Sequence, residues 1–462
     1  MRTALLARLR RDTERADVIA VLVAVGLFAA AAGVGGLLYL LGRPVYASAA
    51  PLYAHWRPHV GLGTPPAVVV AVLVCWRGPA LAARLSWRRL LVLSYATAVA
   101  WTLSLALVDG WQRGVAGRLT TDHEYLHEVP GVTDIPAMLG AFTTRILDFQ
   151  PDSWTTHVSG HPPAALLVFV WLDRVGLSGG GWAGALCILT AALTAVAVPH
   201  TVRLLGTDDA ARAVLPFAAL FPGAVWSGVS ADGLFAGVTA TGVALLAYGV
   251  TRGSAAGALA GGALLGFGCY LSYGLVLMVP IAVAVMILGH RHRSAVWWAL
   301  GGAALVVGGF TAAGFDWLTG YHLVVERYYQ GIASRRAYGY WVWANLAILA
   351  VAAGPAAAVI LRRAAVAGGQ AVSSLRPGEG LRRPQHGTVG YASWLLPVAA
   401  ATAIVAADLS GYSKAEVERI WLPFTGWLMA GAALIPVTGR RTWLTAQATV
   451  ALVINHLLLT AW

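Results

Sequence analysis

Acidic and histidine side chains are the groups that most often move protons or bind metals, and in this chain they concentrate in residues 109–180. Eight of the 20 acids and four of the 12 histidines fall in this window of a 462-residue chain. They are Asp109, Asp122, Glu124, Glu128, Asp134, Asp148, Asp152, Asp173, His123, His127, His157 and His161. Because acids are scarce elsewhere, this clustering predicts a functional site.

One chemistry that the window could support is metal binding. Residues 123–127 read His-Glu-x-x-His, a pattern in which two imidazoles one helical turn apart bind zinc while the glutamate activates water. A third ligand could come from Asp148 or Asp152. Against this, Pro130 would end a helix almost at the second histidine. A zinc protease, a non-catalytic metal site and an ordinary polar turn all stay open.

The second chemistry is general base catalysis by a carboxylate. An acid flanked by aromatic and apolar residues at a membrane surface can be desolvated enough for its pKa to rise, so that it accepts a proton from a hydroxyl. Asp122 is the first candidate for this base and Glu124 the second. Asp148 and Asp152 are further candidates, although each alone is more often structural.

Two histidines and a late basic segment complete the set of candidates. His157 and His161 flank a Ser-Gly pair, where a structural turn is at least as probable as a ligand pair. Further along, Arg419 and the only lysine, Lys414, precede an apolar run, and an arginine at the interface can bind a lipid phosphate. Arg419 could instead have a structural role, either by extending its charged end to the water interface (snorkelling) or by forming an ion pair with Glu416.

A third basic group lies in residues 315–340, between two apolar runs. It consists of Arg327 and Tyr329, with Arg335 followed by Arg336. These arginines fall on the side of the membrane that the positive-inside rule disfavours, which is a hint that they bind an anion.

These candidates must be positioned by membrane helices. Hydrophobic residues make up 58% of the chain and charged residues 11%, which departs from globular proteins in the direction of a polytopic membrane protein. The net charge of +12 comes from short arginine clusters between apolar runs, so we predict no nucleic-acid partner. We expect about 13 spans, since each crossing takes about 20 apolar residues. They are 18–41, 66–82, 90–108, 181–204, 209–227, 233–250, 255–272, 274–289, 295–314, 341–361, 390–408, 420–437 and 443–461.

The positions of the arginines predict the orientation. With a cytoplasmic N-terminus, most of them lie inside, and the segments outside are 42–65, 109–180, 227–232, 315–340 and 409–419. The chain then divides into an N-terminal segment with three spans (1–108), an extracytoplasmic catalytic loop (109–180), a helix core (181–314), an outer loop (315–340) and C-terminal spans (341–462) with a basic cytoplasmic linker at 363–389. Within the first outer loop, 134–147 and 165–175 are too short to span and are expected to form interfacial helices.

The order of several short motifs resembles the GT-C membrane glycosyltransferases, in particular the protein O-mannosyltransferase and aminoarabinose transferase branch. Asp122-His123-Glu124-Tyr125-Leu126 resembles their Asp-Glu-x-x-Tyr segment, with His123 inserted in the acidic pair. His161-Pro162-Pro163 is similar to the start of their His-Pro-Pro-Leu segment. The other similar segments are Val202 to Gly206, Ser230-Ala231-Asp232 and Arg419-Ile420-Trp421-Leu422-Pro423.

This resemblance implies an all-α GT-C-like fold and an inverting transfer of a sugar from a polyprenyl-phosphate donor to an acceptor hydroxyl at the outer face of the plasma membrane. Asp122 would deprotonate the acceptor and Arg419 would stabilise the departing phosphate. Glu124 or Asp152 would bind the acceptor, and we count His161, Arg327, Tyr329, Arg335 and Lys414 as further substrate-binding candidates. The acceptor, whether glycan, lipid or protein, stays open.

No metal ligand is assigned, and the participation of a divalent cation stays open because related families differ. Two other function classes also stay open, a membrane zinc protease built on residues 123–127 and a lipid-linked saccharide transporter. Transporters place charged residues near the bilayer midplane, often within internal repeats, and the sequence shows neither feature.

Overall fold

The computed structural model describes residues 2–289, 292, 294–373 and 390–461, and most of this part of the chain is helical. The α-helices are Arg2–Leu40, Thr64–Arg84, Trp87–Ala106, Tyr125–Glu128, Ile135–Ala141, Thr156–Ser159, Ala164–Arg174, Gly180–Ala192, Thr194–Leu205, Asp208–Ala219, Ala224–Ser227, Ala231–Arg252, Ala255–Leu271, Val279–Leu288, Ala295–Ala312, Trp317–Gln330, Tyr338–Ala352, Pro355–Ser373, Ala392–Leu409, Val417–Ile420, Leu422–Thr425 and Val437–Leu457. The 3-10 helices are Leu107–Asp109, Val129–Gly131, Phe142–Arg145, Tyr273–Met278, Ile332–Ser334 and Gly426–Leu434, and Gln112–Ala116 is a π-helix. Two short antiparallel strands, Ala54–Trp56 and Leu458–Thr460, pair with each other.

The all-α membrane class is confirmed, but the number of spans is lower than the sequence predicts. Seven helical segments in the described chain are long and apolar enough to cross a membrane. An eighth is obtained if Tyr338–Ala352 and Pro355–Ser373, which are bent by 109° at Gly354, count as one span. Gly354 has a φ of +83°, a conformation that favours glycine and ends the first helix before Pro355 begins the next.

Five of the 13 predicted spans are not among these segments. They are 209–227, 255–272, 274–289, 420–437 and 443–461. The first breaks near Pro222, which leaves the helix Asp208–Ala219 of 12 residues, or about 18 Å, against a hydrocarbon core of about 30 Å. The run 420–437 divides into two single-turn helices and a 3-10 segment. An apolar run therefore does not guarantee one continuous helix.

The segments that the charge pattern assigns to the outside meet at one end of the helix bundle. The backbone N–H of Tyr53 donates to Glu418 at 3.0 Å, and Arg419 pairs with Asp232 at 2.6 Å. Arg336 pairs with Glu416 at 3.0 Å. The window 109–180 joins the same end, since Arg327 forms an ion pair with Asp148. The five segments that the predicted topology assigns to the outside therefore lie together at this end.

Segments assigned to the inside also contact one another, away from that end. Asp17 is buried and forms ion pairs with Arg362 and Arg363, at 2.7 and 2.5 Å. Arg212 donates to the carbonyl oxygens of Ala82 and Leu85. Of the predicted linker 363–389, the first residues continue the helix Pro355–Ser373, and 374–389 lie outside the described residues.

The first large loop is packed onto the bundle by short helices. Ala164–Arg174 confirms the helix expected after the two prolines, and Ile135–Ala141 begins where the Asp134 side chain accepts the N–H of Ala137 at 3.1 Å. Asp109, at the start of the loop, has a structural role. It contacts His59 and Arg118 at 2.7 Å each, and Arg118 also donates to the carbonyl oxygen of Thr460.

Candidate active site at one end of the bundle

A buried carboxylate, Glu124, lies at the centre of the candidate site. Glu124 has an extended backbone immediately before the helix Tyr125–Glu128 and is only 5% exposed. Its Oε1 atom is 3.6 Å from Nε2 of His157. Its Oε2 atom is buried, and no hydrogen-bond partner for it occurs among the described residues. One buried carboxylate oxygen therefore has hydrogen-bonding capacity that no described residue uses.

The surroundings of Glu124 change its acidity. Burial raises the pKa of this carboxyl to about 7, Arg419 acts in the opposite direction, and Asp232 raises it further. A carboxyl of this kind is partly ionised at neutral pH and is basic enough to take a proton from a hydroxyl. The loop at 124 and the late segment at 419 are thus electrostatically coupled, although almost 300 residues separate them in sequence.

The guanidinium of Arg419 is held between two carboxylates. Its Nη1 is 2.6 Å from Asp232 Oδ2 and its Nη2 is 2.9 Å from Glu416 Oε2. Burial alone would lower the pKa of Arg419, but Asp232, Glu416 and Glu124 together raise it, so the group stays charged. Asp232 is fixed in the first turn of Ala231–Arg252, whose N-terminus is capped by the Ser230 side chain.

The segment that carries Arg419 follows a strained turn. Ala415 and Glu416 both adopt left-handed backbone conformations, with φ of +70° and +64°, which cost a non-glycine residue about 1 kcal/mol or more each. Two buried side chains hold the turn. Arg336 donates to the carbonyl oxygen of Lys414 and to Glu416, and Asn345 donates to the carbonyl oxygen of Ser413. Strain retained by such contacts is typical of functional sites.

A second buried glutamate lies beside this turn. Glu418 is 1% exposed and accepts the backbone N–H of Tyr53 at 3.0 Å. Burial is the main cause that raises the pKa of Glu418 to about 7. Two carboxyls near Arg419 therefore titrate close to neutrality.

Aromatic and imidazole rings form the wall next to Glu124. His161 Nδ1 lies 2.7 Å from the carbonyl oxygen of His157, which requires the proton on Nδ1, and 2.9 Å from the Tyr125 hydroxyl. Burial lowers the pKa of both histidines. His157, within the single turn Thr156–Ser159, and His161, just after it, therefore lie together and favour the neutral form.

A cavity adjoins this wall. It has a volume of about 400 Å³ and lies between residues 120–130 and the helix Ala164–Arg174. Leu126, Phe169 and Leu172 are among its lining residues, and the Phe169 ring packs on Tyr125 with centroids 5.3 Å apart. Thr120, His127, Asp173 and Ser178 also line it, so the cavity presents both apolar and polar groups.

Some of the other predicted site residues lie near Glu124 and Arg419, and others lie at the surface. Asp122 is exposed in a turn, so the desolvation expected of the base occurs at Glu124 instead. Asp152 and Arg335 are also exposed, and the backbone carbonyl of Asp152 accepts Arg145 at 2.7 Å. The structure does not bring these three side chains to the cluster around Arg419.

Three predicted substrate-binding residues adjoin the cluster. Arg327 donates to the Ser159 hydroxyl at 3.2 Å and pairs with Asp148. Tyr329 is 46% exposed, and the Lys414 ammonium lies 5.1 Å from its ring centroid. The helix Trp317–Gln330 therefore connects the histidine wall with the turn at 413–416.

Residues 123–127 do not form the continuous helix that the zinc-binding pattern His-Glu-x-x-His requires. The helix begins only at Tyr125, because Glu124 is extended with φ −102° and ψ 167°, so His123 and His127 are not one helical turn apart. Both histidines are exposed. Among the residues that the structure describes, no three His, Cys, Asp or Glu side chains converge as metal ligands.

The sequence analysis did not count four charged residues at this end among the site residues. They are the buried Asp232, Arg336 and Glu418 and the half-buried Glu416. Asp232 could have been counted, because an acid in the first turn of an apolar helix is rare and usually has a partner. The ion pair offered as the alternative for Arg419, with Glu416, is present at 2.9 Å, whereas Glu418 carries no local signal that separates it from a solvated loop.

No protein-family model matches this chain, and no curated protein matches it. The GT-C assignment stays a prediction that depends on the order of the short motifs.

Proposed function

We propose that this chain is a membrane glycosyltransferase that transfers a sugar from a polyprenyl-phosphate donor to an acceptor hydroxyl, with Glu124 as the general base. The observation that supports it best is the buried Glu124 carboxyl, whose pKa lies near 7 and whose Oε2 atom has no partner among the described residues. A base with this acidity is matched to neutral pH. The apolar part of the cavity beside Tyr125 agrees with a substrate that carries a hydrocarbon chain.

In the proposed reaction, the acceptor hydroxyl binds at Oε2 of Glu124 and transfers its proton to that oxygen as attack begins. The acceptor oxygen forms a bond to the anomeric carbon from the face opposite the phosphate. The bond between the anomeric carbon and the phosphate oxygen breaks, the phosphate keeps the electron pair, and the configuration inverts. Glu124 then loses its proton to water, which restores the carboxylate.

Arg419 is proposed to act on this reaction mainly through Glu124. Both of its terminal nitrogens are engaged by carboxylates at 2.6 and 2.9 Å, which does not favour the predicted direct contact with phosphate. Its positive charge opposes the effect of burial on Glu124. Without that charge, the glutamate would stay protonated at neutral pH and could not act as a base.

The proposal includes an outward-facing site at the plasma membrane and no nucleotide-sugar donor. The sequence motifs and the charge pattern support both points. The acceptor class and any divalent cation are left open, as in the sequence analysis.

The test is transfer of radiolabelled sugar from a prenyl-phosphate donor by the full chain in lipid vesicles. We expect transfer by the wild type, a loss of about 10²- to 10⁴-fold for Glu124→Gln, and nearly normal transfer for Asp122→Asn. If Glu124→Gln transfers sugar at the normal rate while Asp122→Asn does not, the base is Asp122. If no prenyl-phosphate sugar is ever transferred, the proposal fails.

A second candidate is a proton-coupled transporter of lipid-linked saccharides. It is favoured by one observation, that Glu124 and Glu418 are both buried and titrate near neutrality. Translocation of a labelled lipid-linked saccharide across sealed vesicles, with no new glycosidic bond, would favour the transporter over the transferase.

A further inference from the structure

Lys414 is a nearly buried cation that lacks the counter-ion its neighbours have. The residue is 8% exposed. Arg336 and Arg419 each pair with a carboxylate within 3.0 Å, but no carboxylate oxygen of the described residues lies within 4.0 Å of the Lys414 ammonium. Most of the Lys414 side chain is shielded, but its ammonium nitrogen keeps contact with solvent. Charged groups in shielded positions are normally paired, so an anion that reaches this nitrogen would meet a positive charge that no carboxylate of the described residues pairs with.

The backbone around Lys414 is fixed from several directions. Its N–H donates to the Tyr328 hydroxyl at 2.9 Å, and its carbonyl oxygen accepts Arg336 at 2.9 Å. The next residue, Ala415, is in the left-handed conformation and donates its N–H to Asn345. The backbone from which the Lys414 side chain extends is thus rigid and strained.

Aromatic rings surround the ammonium. It lies 5.1 Å from the ring centroid of Tyr329 and 5.8 Å from that of Tyr328. Tyr412 packs edge-on against both rings and is 43% exposed, as Tyr329 is 46% exposed. Cation–π contacts compensate a lysine only in part and leave its charge available to an anion. Burial and the nearby Arg336 lower the pKa of Lys414, which agrees with an unbalanced charge.

We propose that Lys414, bordered by Tyr329 and Tyr412, is the phosphate-binding subsite, and that the phosphate monoester of a prenyl carrier supplies the missing negative charge. This inference rests on the proposed function for the source of the phosphate. It assigns the phosphate to Lys414 and not to Arg419, whose two terminal nitrogens already donate to carboxylates. The subsite is continuous with the Glu124 cluster because Arg336 contacts both Lys414 and Glu416, and Glu416 contacts Arg419.

The chain offers a direct probe because Lys414 is its only lysine. Reductive methylation with ¹³C-formaldehyde keeps the positive charge and adds an NMR signal at this residue, which Lys414→Gln identifies by its absence. The full chain in neutral lipid nanodiscs would be titrated with a short prenyl monophosphate, the matching prenyl alcohol, inorganic phosphate and phosphatidylglycerol. We expect a saturable shift with the prenyl monophosphate and none with the alcohol.

The other titrations separate the sources of phosphate. An equal response to the alcohol, or no response to any phosphate, would overturn the subsite. A shift of similar midpoint with phosphatidylglycerol would show that bulk lipid occupies it, which would overturn the assignment to a carrier. Saturation by inorganic phosphate at the same concentration as by the prenyl ester would overturn it likewise.

Variants provide an independent measurement of prenyl monophosphate binding. We expect Lys414→Gln to weaken binding by about 10- to 100-fold, as for the loss of a charge-assisted hydrogen bond, and Lys414→Arg to weaken it less. Arg57→Gln removes an exposed charge from the segment 42–65 and should bind normally. Unchanged binding by Lys414→Gln would overturn the subsite. Binding without sugar transfer would refute the transferase alone, and transfer without Lys414-dependent binding would refute the subsite alone.

Discussion

Replacing Glu124 by glutamine should make the protein more stable at alkaline pH while it destroys the proposed activity. The pKa of Glu124 is raised from 4.5 to about 7 in the folded chain, mainly by burial. A carboxyl whose pKa is higher in the folded state contributes stability that is fully present below pH 4.5 and is lost as the pH rises through 7. Above pH 7 the folded wild type therefore carries the penalty of a buried charge, which glutamine does not carry.

The size of this penalty follows from the two pKa values. Their difference corresponds to about 3 kcal/mol between pH 4.5 and pH 8, at about 1.4 kcal/mol for each pKa unit. Glutamine has nearly the same shape and keeps hydrogen-bonding capacity toward His157, so few contacts are lost. We expect Glu124→Gln to unfold at a higher temperature than the wild type at pH 8 and at a similar temperature at pH 5.

The assays are thermal unfolding in detergent and sugar transfer in vesicles, each followed from pH 5 to pH 9. Wild-type transfer should rise about tenfold per pH unit below pH 7 and level off above it, because only the ionised Glu124 is a base. The Glu124→Gln variant should show neither the activity nor this rise of the transfer rate with pH. A variant that is less stable than the wild type at pH 8 would refute the buried, proton-binding carboxyl, and an unchanged pH profile would refute its role as base.

Four further outcomes test other parts of the site. Asp122→Asn should change the transfer rate by less than about twofold, because the side chain is exposed; a hundredfold loss would return the base to Asp122. Asp232→Asn should lower the free energy of unfolding by about 3–5 kcal/mol in denaturant titrations, since it leaves buried Arg419 with fewer negative partners; no change would mean that Glu416 suffices. Glu418→Gln should raise the unfolding temperature at pH 8 but not at pH 5, because burial raises the pKa of Glu418 to about 7, and a shift of equal size at both pH values would contradict this. A zinc-selective chelator should leave transfer unchanged, whereas inhibition reversed by added zinc would revive the metal hypothesis.

Short-range patterns were sufficient for the general architecture. The apolar runs predicted an all-α membrane protein, and the positions of the arginines predicted which loops share one end of the bundle. The contacts of Tyr53 with Glu418 and of Arg336 with Glu416 agree with that grouping. The number of spans could not be predicted in the same way. Whether an apolar run forms one helix depends on breaks such as that near Pro222. A break is stable only where neighbouring helices satisfy the backbone groups that it leaves without hydrogen bonds.

The sequence predicted that the candidate site would include an acid from the window 109–180 and basic residues from a late segment, because the few acids of the chain are concentrated in that window. It did not determine which acid, since Asp122 and Glu124 are two positions apart and both precede Tyr125. Only the tertiary structure distinguishes the two, because it buries the Glu124 side chain and exposes that of Asp122. The burial of Glu124 and its electrostatic interactions with Arg419 and Asp232 depend on segments far away in the chain. These long-range interactions set the pKa of the carboxyl, and the local sequence does not reveal them.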